Sequence, residues 1–281
     1  MKIALCNEVL RDMEFAAQCD YAAALGYDGL EVAPFTLGEA PHLLSARERS
    51  ALRRAAADAG IAITGLHWLL VTPAGLSLNG PDAAIRAKTL EVMRRLVGLC
   101  ADLGGTVLVH GSPAQRSVAP DDDANAAWER AREAFAAIAE DAGKAGVTYC
   151  VEPLSPRETN FINTVEDAVR MVKAVDHPAL RAMIDTSASG LTEDEPVAAL
   201  IERWLPTGLI AHVQVNDRNR RGPGEGEDRF APIFATLLRN GYDRVVAAEP
   251  FVYEPDSRAC AARSIGYVRG VLEALKWKES T

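Results

Sequence analysis

Short apolar runs alternate with long amphipathic stretches from one end of the chain to the other. The runs Lys2–Asn7, Asp28–Ala33, Ala62–Trp68, Thr106–His110, Val147–Glu152, Arg181–Asp185, Ile210–Asn216 and Arg244–Glu249 read as eight strands. Between them, Ser45–Ala59, Pro81–Leu103, Asp121–Ala145, Thr164–Val175 and Ser257–Lys276 repeat apolar positions with a helical period. Ser45, Asp82 and Thr164 sit where N-caps are wanted, and Gly26, Gly60, Gly104, Gly146 and Gly241 each fall a few residues before the next strand. The strands are nearly continuous apolar runs, as expected of parallel strands covered by helices. An open doubly wound sheet would want a glycine-rich phosphate loop after the first strand, and Asn7-Glu8-Val9-Leu10 is not one. The pattern therefore predicts an α/β fold, a single (β/α)₈ barrel over residues 1–281, with no linker polar or long enough to divide it.

The 281-residue length suits this reading, since such barrels run to about 250 residues as one unit. Apolar residues make up 48% of the chain, enough for a large core. Thirty basic against 39 acidic side chains leave a charge of −9, a field that repels phosphate backbones and anionic lipid. No nucleic-acid or membrane partner is expected. The five cysteines form no C-x-x-C pair and match reduced, cytoplasmic usage. No stretch approaches the roughly 18 apolar residues of a membrane span, and the first residues lack a signal peptide's apolar core.

Chemistry concentrates where strands end. In a barrel of this kind that face carries the active site, and the longest irregular loops, Val71–Gly80, Gly111–Pro120 and Asp217–Asp228, lie there too. Glu152, Asp185, His212 and Glu249 come from four successive strands, which lie about 4.8 Å apart. Their side chains are thus expected to converge on one divalent ion. Three carboxylates and an imidazole are a hard donor set that favours Mn²⁺, with Mg²⁺, Co²⁺ and Zn²⁺ open. His67 and His110, also at strand ends, read equally as substrate contacts or as satisfied core imidazoles. Trp68, which follows His67 at a strand end, is a candidate wall for a substrate pocket. The arginine-rich faces of Ser45–Ala59 and Pro81–Leu103 read as solvated outer surfaces.

The segments Val151-Glu152-Pro153, Ile184-Asp185-Thr186, His212 through Arg218, Gly222-Pro223-Gly224-Glu225-Gly226 and Ala248-Glu249-Pro250-Phe251 resemble those of the xylose isomerase-like TIM barrels. Within them the chain is similar to the sugar phosphate isomerase/epimerase group that includes the D-tagatose and D-psicose 3-epimerases. The resemblance covers essentially the whole barrel. It implies that Glu152, Asp185, His212 and Glu249 hold one metal, that Glu152 and Glu249 double as acid and base, and that Glu158 and Arg218 contact substrate oxygens. It also implies a sugar or keto-sugar substrate, an enediolate intermediate, and a homo-oligomer as one possible assembly. Ala188 stands where the family often has a substrate-gripping histidine. Elimination from the same intermediate, as in keto-inositol dehydratases, is the alternative outcome. An endonuclease IV-like nuclease and a non-catalytic sugar-binding subunit are the further readings.

Overall fold

The structure, a computed structural model, describes residues 1–279. Eight parallel strands close into a barrel in chain order: β1 (Lys2–Cys6), β2 (Gly29–Val32), β3 (Ala62–Leu66), β4 (Val107–His110), β5 (Thr148–Val151), β6 (Leu180–Asp185), β7 (Ile210–Val215) and β8 (Val245–Ala248). β1 pairs with β2 on one side and with β8 on the other, so no strand edge is left open. The expected (β/α)₈ barrel is what the chain forms.

Helices α1 (Phe15–Leu25), α2 (Ala46–Asp58), α3 (Ala83–Leu103), α4 (Ala124–Ala145), α5 (Val165–Val175), α6 (Thr186–Thr192), α7 (Val197–Trp204), α8 (Phe230–Arg239) and α9 (Ser257–Glu279) accompany the strands. Local chemistry sets their ends. Ser45 and Thr164 close reciprocal capping boxes with Glu48 and Asp167, and Asp82 accepts from the backbone N–H of Ala84 and Ile85. Of the three consecutive aspartates before α4 the last, Asp123, is the cap, so that helix starts later than the sequence pattern suggests. After α3 the chain leaves through Gly104 at φ +85°, a left-handed conformation that costs a residue without Cβ little.

The largest apolar cluster lies between sheet and helices, where α4 contributes Phe135, Ile138 and Ala142 and α3 contributes Leu96 and Leu99. Two smaller buried clusters hold Val107, Val109, Cys150 and Met183, and Ala4, Cys6 and Ala247. Strand alternation carries these inward faces upward two residues at a time. Cys150 leads to Glu152, Met183 to Asp185 and Ala247 to Glu249. The barrel interior is apolar at its base and acidic at its rim, with buried polar side chains between.

β3 and β4 approach closely at Gly65. A Cβ there would run into the carbonyl oxygen and Cγ1 of Val107. Gly65→Ala is expected to cost about 1–3 kcal/mol through overpacking. Urea unfolding should show the midpoint falling with the slope unchanged.

Candidate active site

Two of the rim carboxylates owe their position to a proline. Glu152 and Glu249 each follow the last residue of a strand and precede Pro153 and Pro250. Proline has no N–H to continue the ladder, and it holds the residue before it in an extended conformation. The acid is therefore left at the mouth. Asp185 reaches the same level differently: it ends β6 and caps α6, its Oδ1 accepting from the backbone N–H of Ala188 at 2.7 Å. Asn216 braces the three strands, donating through Nδ2 to the carbonyl of Glu249 and accepting at Oδ1 from the N–H of Ser187.

Glu152, Asp185 and Glu249 each place a carboxylate oxygen within 4.8 Å of the others, and all three are buried. Burial, then the neighbouring acids, pushes Glu152 and Glu249 well above the usual carboxylate range. For Glu152 the buried guanidinium of Arg116 works in the opposite direction. Asp185 is pushed up to about 7, mainly by burial, against the stabilising N–H of Ala188. Such a trio is costly as free anions and well matched to a cation.

His212 does not stand with these acids. The register pairs Asp185 with Gln214 and places His212 beside Met183, one layer deeper in the barrel. Two residues of strand correspond to about 6.6 Å. There the His212 Nε2 lies 2.8 Å from Oε2 of Glu31, a fully buried carboxylate. Burial raises the pKa of Glu31, but His212, His67 and Gln214 together bring it below its ordinary value. Gln214 donates through Nε2 to Oε1 of Glu31 at 2.8 Å. Its Oε1 is buried with no hydrogen-bond partner, and so is Oδ2 of Asp185. These orphaned oxygens fit an oxygen-seeking ion at this level.

The remaining expected residues divide. Glu158 lines the mouth with Glu152, Asp185 and Glu249, its Oε2 accepting from the N–H and hydroxyl of Ser155. Arg218 lines the same cavity, half exposed and fixed by Asp228 at 2.6 Å. Trp68, at a left-handed φ of +50°, packs edge-on against Phe35 and Phe251 and walls the adjoining cavity beside Glu152 and Glu249. His67 is buried beneath the mouth, its Nε2 at 2.9 Å from Glu8 and 3.6 Å from Glu249. Burial lowers its pKa, but Glu8 and Glu31 outweigh this and raise it overall. His110 is elsewhere: it faces the helix layer, Nδ1 at 2.9 Å from the Tyr149 hydroxyl and its ring edge-on to Phe135 of α4. Burial, with Arg116 nearby, pulls its pKa down to about 3, so it is a neutral imidazole.

Sequence reasoning missed Gln214, Asn216 and Arg220. The Arg220 guanidinium stacks 4.7 Å over Phe251, and its backbone carbonyl accepts from the N–H groups of Phe251 and Val252. It lines both cavities at the mouth. One signal was available: Arg220 lies six residues past Gln214, as Arg218 lies six past His212.

A parallel eight-stranded barrel with a buried acidic cluster at its carboxyl rim has the layout of a (β/α)₈ enzyme, whose active site lies at that face. A sequence model of the xylose isomerase-like TIM barrel matches residues 19–275, and the chain belongs to that family. It is 30% identical over 245 residues to the D-psicose 3-epimerase of Ruminiclostridium cellulolyticum, covering 86% of this chain and 80% of that protein. It is also 30% identical to the D-psicose 3-epimerase of Agrobacterium fabrum, covering 85% and 80%. Among solved structures, the D-psicose 3-epimerase of Clostridium cellulolyticum H10 with D-tagatose superposes with a TM-score of 0.81 at 25% identity, covering 97% of this chain and 99% of that one.

The raised pKa of Asp185 gives a stability prediction for protein freed of divalent ions. An unfolded Asp loses its proton near pH 4, whereas the folded one keeps it to about 7. Over that window the unfolded state binds fewer protons, so this contribution to stability falls as pH rises. Asp185→Asn should flatten the pH dependence of the melting temperature between about pH 4.5 and 7. Equal slopes in the two proteins would contradict the burial argument.

Proposed function

We propose that the chain is a divalent-metal-dependent ketose epimerase that works through an enediolate, with Glu152 and Glu249 as its acid and base. At the coarser level, it is an isomerase-class enzyme acting on sugars. The observation that carries the finer reading is the convergence of Glu152, Asp185 and Glu249 in a buried cluster at the rim. The ligand set we infer is Glu152, Asp185, Gln214 and Glu249. Gln214 takes the position expected of His212 because it shares the register of Asp185, whereas the His212 Nε2 faces Glu31 at 2.8 Å. Four oxygen donors suit Mn²⁺, Mg²⁺ or Co²⁺. The ion supplies Lewis-acid stabilisation of negative charge on the substrate's oxygens.

The chain's own residues perform the proton transfers. Glu152 and Glu249 stand on β5 and β8, three strands apart around the mouth, so a sugar carbon between them is approached from two faces. One carboxylate takes the proton from the carbon next to the carbonyl, and the C–H electron pair moves into the enediolate. The other, as the acid, returns a proton to the opposite face, which inverts the centre. Trp68 and Phe251 offer apolar faces to the sugar's C–H surface. Glu158, Arg218 and Arg220 supply charged hydrogen-bonding groups for its hydroxyls.

The test is incubation of Mn²⁺-loaded protein with ketohexoses and ketopentoses in D₂O. Epimer formation with one deuterium at the inverted carbon is expected by NMR. No exchange into any member of the panel overturns the reading. Glu152→Gln and Glu249→Gln should each lower turnover by roughly 10²–10⁴-fold, the usual weight of a general acid or base, with the circular-dichroism spectrum unchanged.

A second measurement separates Gln214 from His212. Gln214→Leu should weaken metal binding by at least the roughly 10–100-fold that even outer partners of a metal site contribute. His212→Asn should change thermal stability more than metal affinity, because it breaks a buried pair with Glu31. Calorimetric titration with Mn²⁺ checks both, and the opposite ranking would restore His212 as the ligand.

A further inference from the structure

We propose a second divalent-cation site, built from Cys6, Glu8, His67 and Glu249, that shares Glu249 with the first. Cys6 ends β1, and the 3-10 turn over Asn7–Leu10 brings Glu8 back into the barrel. His67 follows the last residue of β3, and Glu249 follows β8. One ligand atom from each of the four lies within 4.8 Å of every other, and all four residues are buried. A tetrahedral ion with bonds of about 2.0–2.3 Å has donor–donor edges of roughly 3.3–3.8 Å. The His67 Nε2 is already 2.9 Å from Glu8 and 3.6 Å from Glu249.

Two features show this cluster to be unsatisfied by its protein neighbours. Glu8 is only 2% exposed, yet its Oε1 has no hydrogen-bond partner. The Cys6 sulfur is wholly buried, with only long polar contacts, 4.0 Å to Glu31 and 3.8 Å from Gln214. Among the described residues no lysine or arginine forms an ion pair with any of the four. A thiolate, an imidazole and two carboxylates select a borderline ion such as Zn²⁺ or Co²⁺ over Mg²⁺ or Mn²⁺. The first site has only oxygen donors, so the two differ in kind.

Occupancy of this site makes Glu249 a bridging ligand. A carboxylate held between two cations is not free to take a proton, so zinc in this site inhibits the enzyme loaded with Mn²⁺ at the first. That consequence rests on the role proposed for Glu249; the binding does not.

The test is titration of metal-free, reduced protein with Co²⁺. Two equivalents should bind, and a thiolate-to-cobalt charge-transfer band should appear in the near ultraviolet, whichever site fills first. Cys6→Ser should lose the band and bind the second ion at least tenfold more weakly. Glu8→Gln, in which the thiol is kept, should also weaken the second equivalent at least tenfold. Wild-type protein that takes up one equivalent without the band, or a band that survives Cys6→Ser, overturns the proposal. Because these readouts are spectroscopic, absence of epimerase exchange would not alter them.

Discussion

Three carboxylates held side by side out of water are the constraint around which the rim is organised. Glu152, Asp185 and Glu249 would repel one another as anions, and burial removes the solvent that would screen them. Each is nevertheless fixed by a device that does not depend on the others: a proline after Glu152 and Glu249, a helix cap for Asp185. The barrel is closed, with no free strand edge, so the strands cannot part to relieve the repulsion. Stability of the scaffold thereby maintains an arrangement that is unfavourable for three free anions.

The architecture was largely legible because its signals are local. Apolar runs, caps and exit glycines follow from short-range sterics, and the acids before prolines mark strand ends directly. Strand alternation also identifies the inward face: His212, Gln214 and Asn216 share it. What alternation does not specify is depth. Depth depends on the register between β6 and β7, which shifts between Ala182 and Met183, and this irregularity sets Asp185 opposite Gln214. A histidine attracts attention as a ligand, whereas a glutamine two residues on passes as a neutral strand residue. His110 illustrates the other limit. Val107 and Val109 face the interior, so the residue between or after them faces the helices, and parity alone would have turned His110 toward Phe135.

Short helices were harder to read. The α6 segment Thr186–Thr192 has no amphipathic period, and it is helical because Asp185 caps it. The same carboxylate that belongs to the acidic cluster therefore sets the conformation of the segment bearing Ala188. Replacing it would disturb both at once.

Below the rim, the polar groups form a graded set. Glu31 lies between His212, Gln214 and His67, so the floor of the site is a buried polar network. Gln214 joins this network through its nitrogen, and its oxygen is buried without a hydrogen-bond partner. An amide donates and accepts at different atoms and carries no charge at any ordinary pH. A histidine at that position would have presented one ring nitrogen to each side, at the risk of protonation beside Glu31. The exchange of imidazole for amide thus leaves the acidic cluster one fewer titratable neighbour. Above the cluster lie the residues that line the mouth. There Ala188 has only a methyl group to offer, Arg218 is tied to Asp228, and the positive φ of Arg220 sets its guanidinium against Phe251. Arg218 and Arg220 sit on a loop, whereas the acids are fixed at strand ends, so this side of the mouth and the placing of the acids rest on different parts of the fold.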